Sequence, residues 1–302
     1  MAQLKQIPNE LFFSMNDKQD PRLGELNLES SKIVIQGYPD DEGIRLNGGR
    51  PGAEQAPIKI REYLYKMTPS LSTQKEINYF DLGNWIKDSD LRTHHQQIIE
   101  NTTPLYQQNK KVISFGGGHD YGYVDTKAFI STFLTDSVVI NFDAHFDVRP
   151  DHTHPHSGTP FFRLLNEHLD LPFFEVGIQE QCNSRDHQKW LENKKALIFT
   201  YQKIRTNGWQ SLKNELAIHF GKKLFISLDI DVFSNAFAPG CSQSWATGLQ
   251  IDEYLEIQKW LLQNFDVRGL GIYEVSPPLD QDNMTSKLAA LICHHFIFNN
   301  KD

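Results

Sequence analysis

The sequence predicts an α/β fold, with a mostly parallel sheet covered by helices on both faces. Short β-branched or aromatic runs alternate with longer amphipathic stretches along the chain, the pattern left by strand–helix–strand units. With 302 residues, 39% hydrophobic and 12% aromatic, the chain can bury a large core. No Pro/Gly/Ser-rich linker, internal repeat or low-complexity segment divides it, so a single domain over 1–302 is expected.

The first strand is expected over 31–37, closed by the turn signal Tyr38-Pro39-Asp40-Asp41. Strands over 77–82 and 111–115 follow, separated by a helical stretch near 94–108. Further strands are expected over 137–142, 173–178, 196–200, 223–228 and 267–273. Between and after them, apolar residues recur at helical spacing near 124–134, 160–168, 209–220, 251–265 and 285–298. In sheets of this kind ligands bind outside the carboxyl ends of the strands. The residues just after each strand are therefore where chemistry is sought.

Bulk properties remove several classes of function. The net charge is −8, with a pI near 5.8 and no long Lys/Arg run, which disfavours a nucleic-acid binder. Cys182, Cys241 and Cys293 lie far apart without metal-type spacing. They read as small core or loop residues of a protein in a reducing compartment, with no disulfide framework. The polar start of the chain lacks the apolar core of a secretory signal. No apolar run approaches the roughly 20 residues that span a bilayer. A soluble, cytoplasmic protein is expected.

Four strand ends carry unusual clusters. Gly116-Gly117-Gly118-His119-Asp120 follows the strand at 111–115. Its glycines allow a sharp turn and close backbone approach, although a turn bearing an exposed histidine would explain it equally well. Asp143, His145 and Asp147 follow the strand at 137–142 at spacing i, i+2, i+4, which puts them on one face of an extended backbone. Two carboxylates and an imidazole converging there repel one another unless a cation sits between them. A solvated edge strand is the bland alternative, and the apolar Val138-Val139-Ile140 argues against it. Asp229 and Asp231 repeat the i, i+2 arrangement after 223–228, and Glu274 ends the strand at 267–273 before a Pro-rich turn. Read singly, these would be a turn or cap and a surface glutamate.

Four aspartates and two histidines without a thiolate suit a hard or borderline divalent ion such as Mn2+. Four carboxylates offset the charge of two divalent ions and exceed the roughly three protein ligands of a mononuclear catalytic zinc. A pair of ions about 3.5–4 Å apart would hold a hydroxide ready at neutral pH.

In this order and spacing, the segments Gly-Gly-Gly-His-Asp, Asp-Ala-His-Phe-Asp, Ser-Leu-Asp-Ile-Asp-Val and Tyr-Glu-Val-Ser-Pro resemble the ureohydrolase family of arginase, agmatinase and formimidoylglutamase. The resemblance runs through most of the chain. It implies a three-layer αβα (arginase-like) fold and two Mn2+ ions. By motif, His119, Asp143, Asp147 and Asp229 would hold one ion, and Asp143, His145, Asp229 and Asp231 the other. Glu274 matches the glutamate that receives the substrate's amidine or guanidine. Such proteins often assemble as homo-oligomers.

The stretch Arg45-Leu46-Asn47-Gly48-Gly49-Arg50-Pro51-Gly52-Ala53 and Asp147-Val148-Arg149 look most like formimidoylglutamase. So do Ser157-Gly158-Thr159-Pro160-Phe161 and Gly177-Ile178-Gln179. The implied reaction converts N-formimidoyl-L-glutamate and water to L-glutamate and formamide, a step in histidine breakdown. The bridging hydroxide, oriented by Asp147, would attack the formimidoyl carbon, while Arg149 grips a glutamate carboxylate bidentately. Ser157 stands where arginase has its proton-shuttling histidine, which leaves Asp147 or the neighbouring His156 as the acid for the leaving group. Gln243 and Trp245 depart from the small residues expected beside Cys241. The rival readings are a urea-releasing relative, a non-catalytic ligand-binding or regulatory member, and a deacetylase of the related fold.

Overall fold

The computed structural model describes residues 3–71 and 77–300, so residues 1, 2, 72–76, 301 and 302 of the expected domain lie outside the described residues. The strands are β1 (Gln3–Lys5), β2 (Ile33–Gly37), β3 (Tyr79–Ile86), β4 (Lys111–Phe115), β5 (Ser137–Phe142), β6 (Phe173–Ile178), β7 (Leu197–Thr200), β8 (Lys223–Asp229) and β9 (Asp266–Tyr273). They form one sheet in the order β1-β3-β2-β4-β9-β8-β5-β6-β7. Every pairing is parallel except β1 on β3, where a three-residue antiparallel strand closes one edge. The sequence reading contains no counterpart of β1.

The helices are α1 (Glu42–Leu46), α2 (Ala56–Leu64), α3 (Leu91–Gln107), α4 (Tyr121–Phe133), α5 (Pro160–Glu167), α6 (Arg185–Asn193), α7 (Tyr201–Asn207), α8 (Gln210–Ala217), α9 (Ile251–Asn264) and α10 (Met284–Asn299). Side chains alternate across the sheet and build a core on each face. On β5, Val138, Ile140 and Phe142 join residues of α2, α9 and α10, whereas Val139 joins residues of α3, α4 and α5. The result is the three-layer αβα arrangement. No helix among the described residues is long and apolar enough to cross a membrane.

Two buried polar devices fix the frame around the site. Arg61 of α2 and Asp81 of β3 are fully buried and paired fork to fork, Nε to Oδ2 at 2.6 Å and Nη2 to Oδ1 at 3.0 Å. Remaining guanidinium donors reach Pro57 O at 3.0 Å and Asn84 Oδ1 at 2.9 Å, so the charge is met on all sides. The second device is a row across the sheet, in which Gln36, Ser114, Gly271, Ser227, Asn141 and Glu175 are successive strand partners. This row lies just inside the carboxyl edge. Two residues further along β8 and β5, on the same face, stand Asp229 and Asp143.

Candidate metal centre

Register brings the aspartates together. Phe142 of β5 pairs with Leu228 of β8, so Asp143 and Asp229 emerge side by side. The loop after β4 delivers His119 from across β9. That loop must turn tightly, because a Cβ on Gly117 would lie 1.6 Å from the carbonyl oxygen of Asp40. Asp147 and Glu274 both hold left-handed backbone conformations, with φ of +48° and +64°. Non-glycine residues adopt this region at an energetic cost that the surrounding structure must impose. Both side chains line the same cavity.

The nitrogen Nδ1 of His119 lies 3.1 Å from an oxygen of Asp143, 3.0 Å from Asp147 and 3.3 Å from Asp229. Buried completely, it nevertheless makes no hydrogen bond of acceptable geometry with any of them. Donor atoms sharing an ion at about 2.1 Å sit about 3 Å apart at neighbouring octahedral corners. A second group joins Asp143, His145 and Asp231, with His145 Nδ1 3.0 Å from Asp231. The two groups together hold all six residues singled out in the sequence. Asp143 alone belongs to both, whereas Asp229 falls within the first only. The site therefore fits a pair of divalent ions in donor type, charge and convergence.

Surrounding hydrogen bonds aim these donors. His119 Nε2 is 2.9 Å from Ser227 Oγ, and with its proton directed there Nδ1 keeps a lone pair for the cluster. The Tyr273 ring stacks on His119 with centroids 4.9 Å apart. Backbone amides of His145 and Asp231 donate to Asp143 and Asp229 at 2.7 and 2.8 Å. Asn141 Nδ2 contacts Asp143 at 3.3 Å and Glu175 at 2.9 Å.

Without ions the cluster holds protons instead. Burial opposes a charged His119, but its contacts with Asp143, Asp147 and Asp229 outweigh burial and raise it well above an ordinary histidine. Burial and then Asp143 push Asp147 up to about 6. Burial, followed by Asp231 and Asp143, raises Asp229 well above the usual carboxylate range. Glu274 is raised likewise by burial, against the backbone N–H of His119 that donates to it at 3.0 Å. Ions entering such a site displace these protons.

A buried support stands behind Tyr273. Asp125 of α4 accepts from Tyr273 at 2.6 Å, Tyr38 at 2.5 Å, Ser114 at 2.8 Å and Gln36 at 3.3 Å. Burial pushes its carboxyl up to about 6, although these donors pull the other way. A carboxyl whose folded pKa is raised stabilises fully below its unfolded pKa, and that stabilisation is lost as pH climbs through the folded value. The stability of the protein relative to its Asp125→Asn variant is thus expected to fall between pH 4 and 7. At about 1.4 kcal/mol per unit, the drop is about 3 kcal/mol. Urea titrations of both proteins in chelator across that range measure it, and parallel curves would contradict it.

A cavity of about 260 Å³ opens over the cluster. Arg149, Ser157, Gln243, Trp245 and Glu274 line it, and so do Asn47 and Cys182, which sequence reasoning missed. Asn47 lies within the stretch 45–53 that looks like formimidoylglutamase, whereas nothing in the sequence marks Cys182. All three cysteines are free. His156, a candidate acid, is not among the lining residues; its Nδ1 accepts from Gly158 N at 3.2 Å. Burial and the Arg149 charge lower its pKa, which favours the neutral ring.

Residues 31–298 match the Arginase family. Among curated proteins, the chain is 30% identical over 273 residues to a formimidoylglutamase from Staphylococcus haemolyticus, covering 89% of the chain and 86% of the relative. It is 31% identical over 288 residues to one from Legionella pneumophila, covering 91% and 88%. Among solved structures, Bacillus subtilis formimidoylglutamase superposes with a TM-score of 0.84 at 29% identity, covering 95% of this chain and 94% of that one. Trypanosoma cruzi formiminoglutamase, solved with Mn2+, gives 0.83 at 26% identity, covering 93% and 98%.

Proposed function

The chain belongs to the arginase family, and from that premise we propose that it hydrolyses N-formimidoyl-L-glutamate to L-glutamate and formamide with two manganese ions. The observation that carries this reading is the pairing of two ligand groups, joined at Asp143, with a cavity bearing Glu274 and Arg149. When bound, divalent ions supply Lewis acidity and a water acidified to neutral pH.

The chain's own residues supply the rest. Glu274, buried and aimed into the cavity, pairs with the cationic amidine and turns the trigonal carbon toward the cluster. Arg149 and Ser157 take a carboxylate at the other side of the cavity. Asp147, in the cavity lining beside the cluster, carries a proton toward the leaving amine. His156, absent from the cavity lining and with its Nδ1 engaged by Gly158 N, is left outside this transfer.

Purified protein loaded with Mn2+ is expected to bind about two ions per chain and to release formamide from N-formimidoyl-L-glutamate. Urea release from arginine or agmatine, with no formamide, would assign it to a different reaction of the family.

A further inference from the structure

We propose that Asn47 is a positioning residue that presents Arg149 and Ser157 as one anion-binding pair, a proposal that rests on the function argued above and assigns the carboxylate end of the substrate. The two halves of the Asn47 side-chain amide are both engaged. Its Oδ1 accepts a hydrogen bond from Arg149 Nη1, and its Nδ2 donates to Ser157 Oγ at 3.0 Å. Flipping the amide would set donor against donor at Arg149, so the orientation is locked. All three residues line the cavity.

The chemistry of this acceptor matters. An amide oxygen orients a guanidinium without neutralising it, and among the described residues no carboxylate lies within ion-pair distance of Arg149. Other arginines differ, since Arg45 pairs with Asp41 and Arg163 with Asp151. Arg149 also keeps N–H donors free of protein partners, in a fork that matches a carboxylate. The Ser157 oxygen uses a lone pair to accept from Asn47, which leaves its O–H for the same anion.

Geometry leaves few other places for an anion. The cavity walls carry Asp147, Asp229, Asp231 and Glu274, and among the described residues Arg149 is the one Arg or Lys side chain in the lining. Gly158 makes room for the arrangement. A Cβ there would stand 3.1 Å from both Arg149 Cδ and Asn47 Nδ2, and the Gly158 carbonyl accepts from Arg149 N at 2.8 Å.

The test replaces the neutral acceptor by a charged one of nearly the same shape. In Asn47→Asp the new carboxylate pairs with Arg149 and repels the substrate carboxylate. KM for N-formimidoyl-L-glutamate is expected to rise at least about tenfold, with a much smaller change in kcat. N-propylformamidine, which has no carboxylate, should lose nothing. An unchanged KM, or equal losses on both substrates, would overturn the proposal. Calorimetry with glutarate separates it from the functional reading, because it needs no turnover. The parent protein should bind glutarate at least about tenfold more tightly than Asn47→Asp. Should the parent release no formamide yet show this difference, the reaction assignment fails and the anion site stands. Equal binding, or none to the parent, overturns the site.

Discussion

Asp229→Asn is expected to lose metal and turnover while making the metal-free protein more stable. Asp229 is 3% exposed, beside Asp143 and within coulombic reach of Asp231, and burial with these neighbours disfavours its charge. Asparagine imitates the protonated acid and can still accept from Asp231 N, so the fold keeps its hydrogen bond and sheds a repelling charge. The metal-free melting temperature should therefore rise by about 3 °C. Excess Mn2+ should reverse the ranking. Ligand at about 100 times its Kd stabilises the parent by about 2.7 kcal/mol per site, and the variant gains little. Loss of the ions' charge stabilisation, worth several kcal/mol, should lower kcat/KM at least about 10³-fold. Calorimetry with and without Mn2+, plus metal analysis, reads all three. A variant that melts below the parent in chelator, or still carries two ions and full activity, would refute this account.

Much of the fold was legible because buried parallel strands announce themselves. The strands at 111–115, 137–142 and 173–178 have the expected bounds, since each is an apolar run cut off by a glycine, an acidic residue or a polar turn. What escaped was short. β1 pairs three residues on an edge and carries no hydrophobic pattern, and α1 and α7 are too brief for a helical period to stand out. α6 buries only Leu191, and α2 sets the charged Arg61 on its buried face. Two of them had a local signal: Ser184 and Thr200 cap α6 and α7 by accepting from the amides of His187 and Lys203.

For the site, the sequence held the ligands but not their arrangement. An extended period of two picked out Asp143, His145 and Asp147. β5 ends at Phe142, however, the chain bends at Ala144 and His145, and Asp147 is left-handed, so a turn and not a strand face gathers them. Their convergence with Asp229 and His119 follows from strand order. β5 neighbours β8, and β8 neighbours β9, although long stretches of chain separate them. No local pattern encodes that order. The row of Ser227, Asn141 and Glu175 beneath the ligands was equally invisible, because each is an isolated polar residue in an apolar strand and only pairing aligns them. Asn47 escaped for a further reason: its partners Arg149 and Ser157 lie on a loop more than a hundred residues away.

Glu274→Gln separates substrate recognition from metal binding. Glu274 lies in neither ligand group, so the variant is expected to keep its ions. The hydrogen bond from His119 N can persist to the glutamine Oε1, and what disappears is the charge. In a buried site that charge faces a cationic amidine. Losing one partner of a desolvated pair costs about 2–5 kcal/mol, which lowers kcat/KM roughly 30- to 5,000-fold. Guanidinium and acetamidine are expected to compete with substrate on the parent and to lose that inhibition by a similar factor on the variant. The metal-free protein should gain stability, since burial disfavours the Glu274 charge that the glutamine lacks. Higher stability, intact metal content and failed amidine recognition in one variant distinguish a substrate-binding charge from a structural one. Undiminished turnover, or loss of the ions, would remove Glu274 from the role assigned to it.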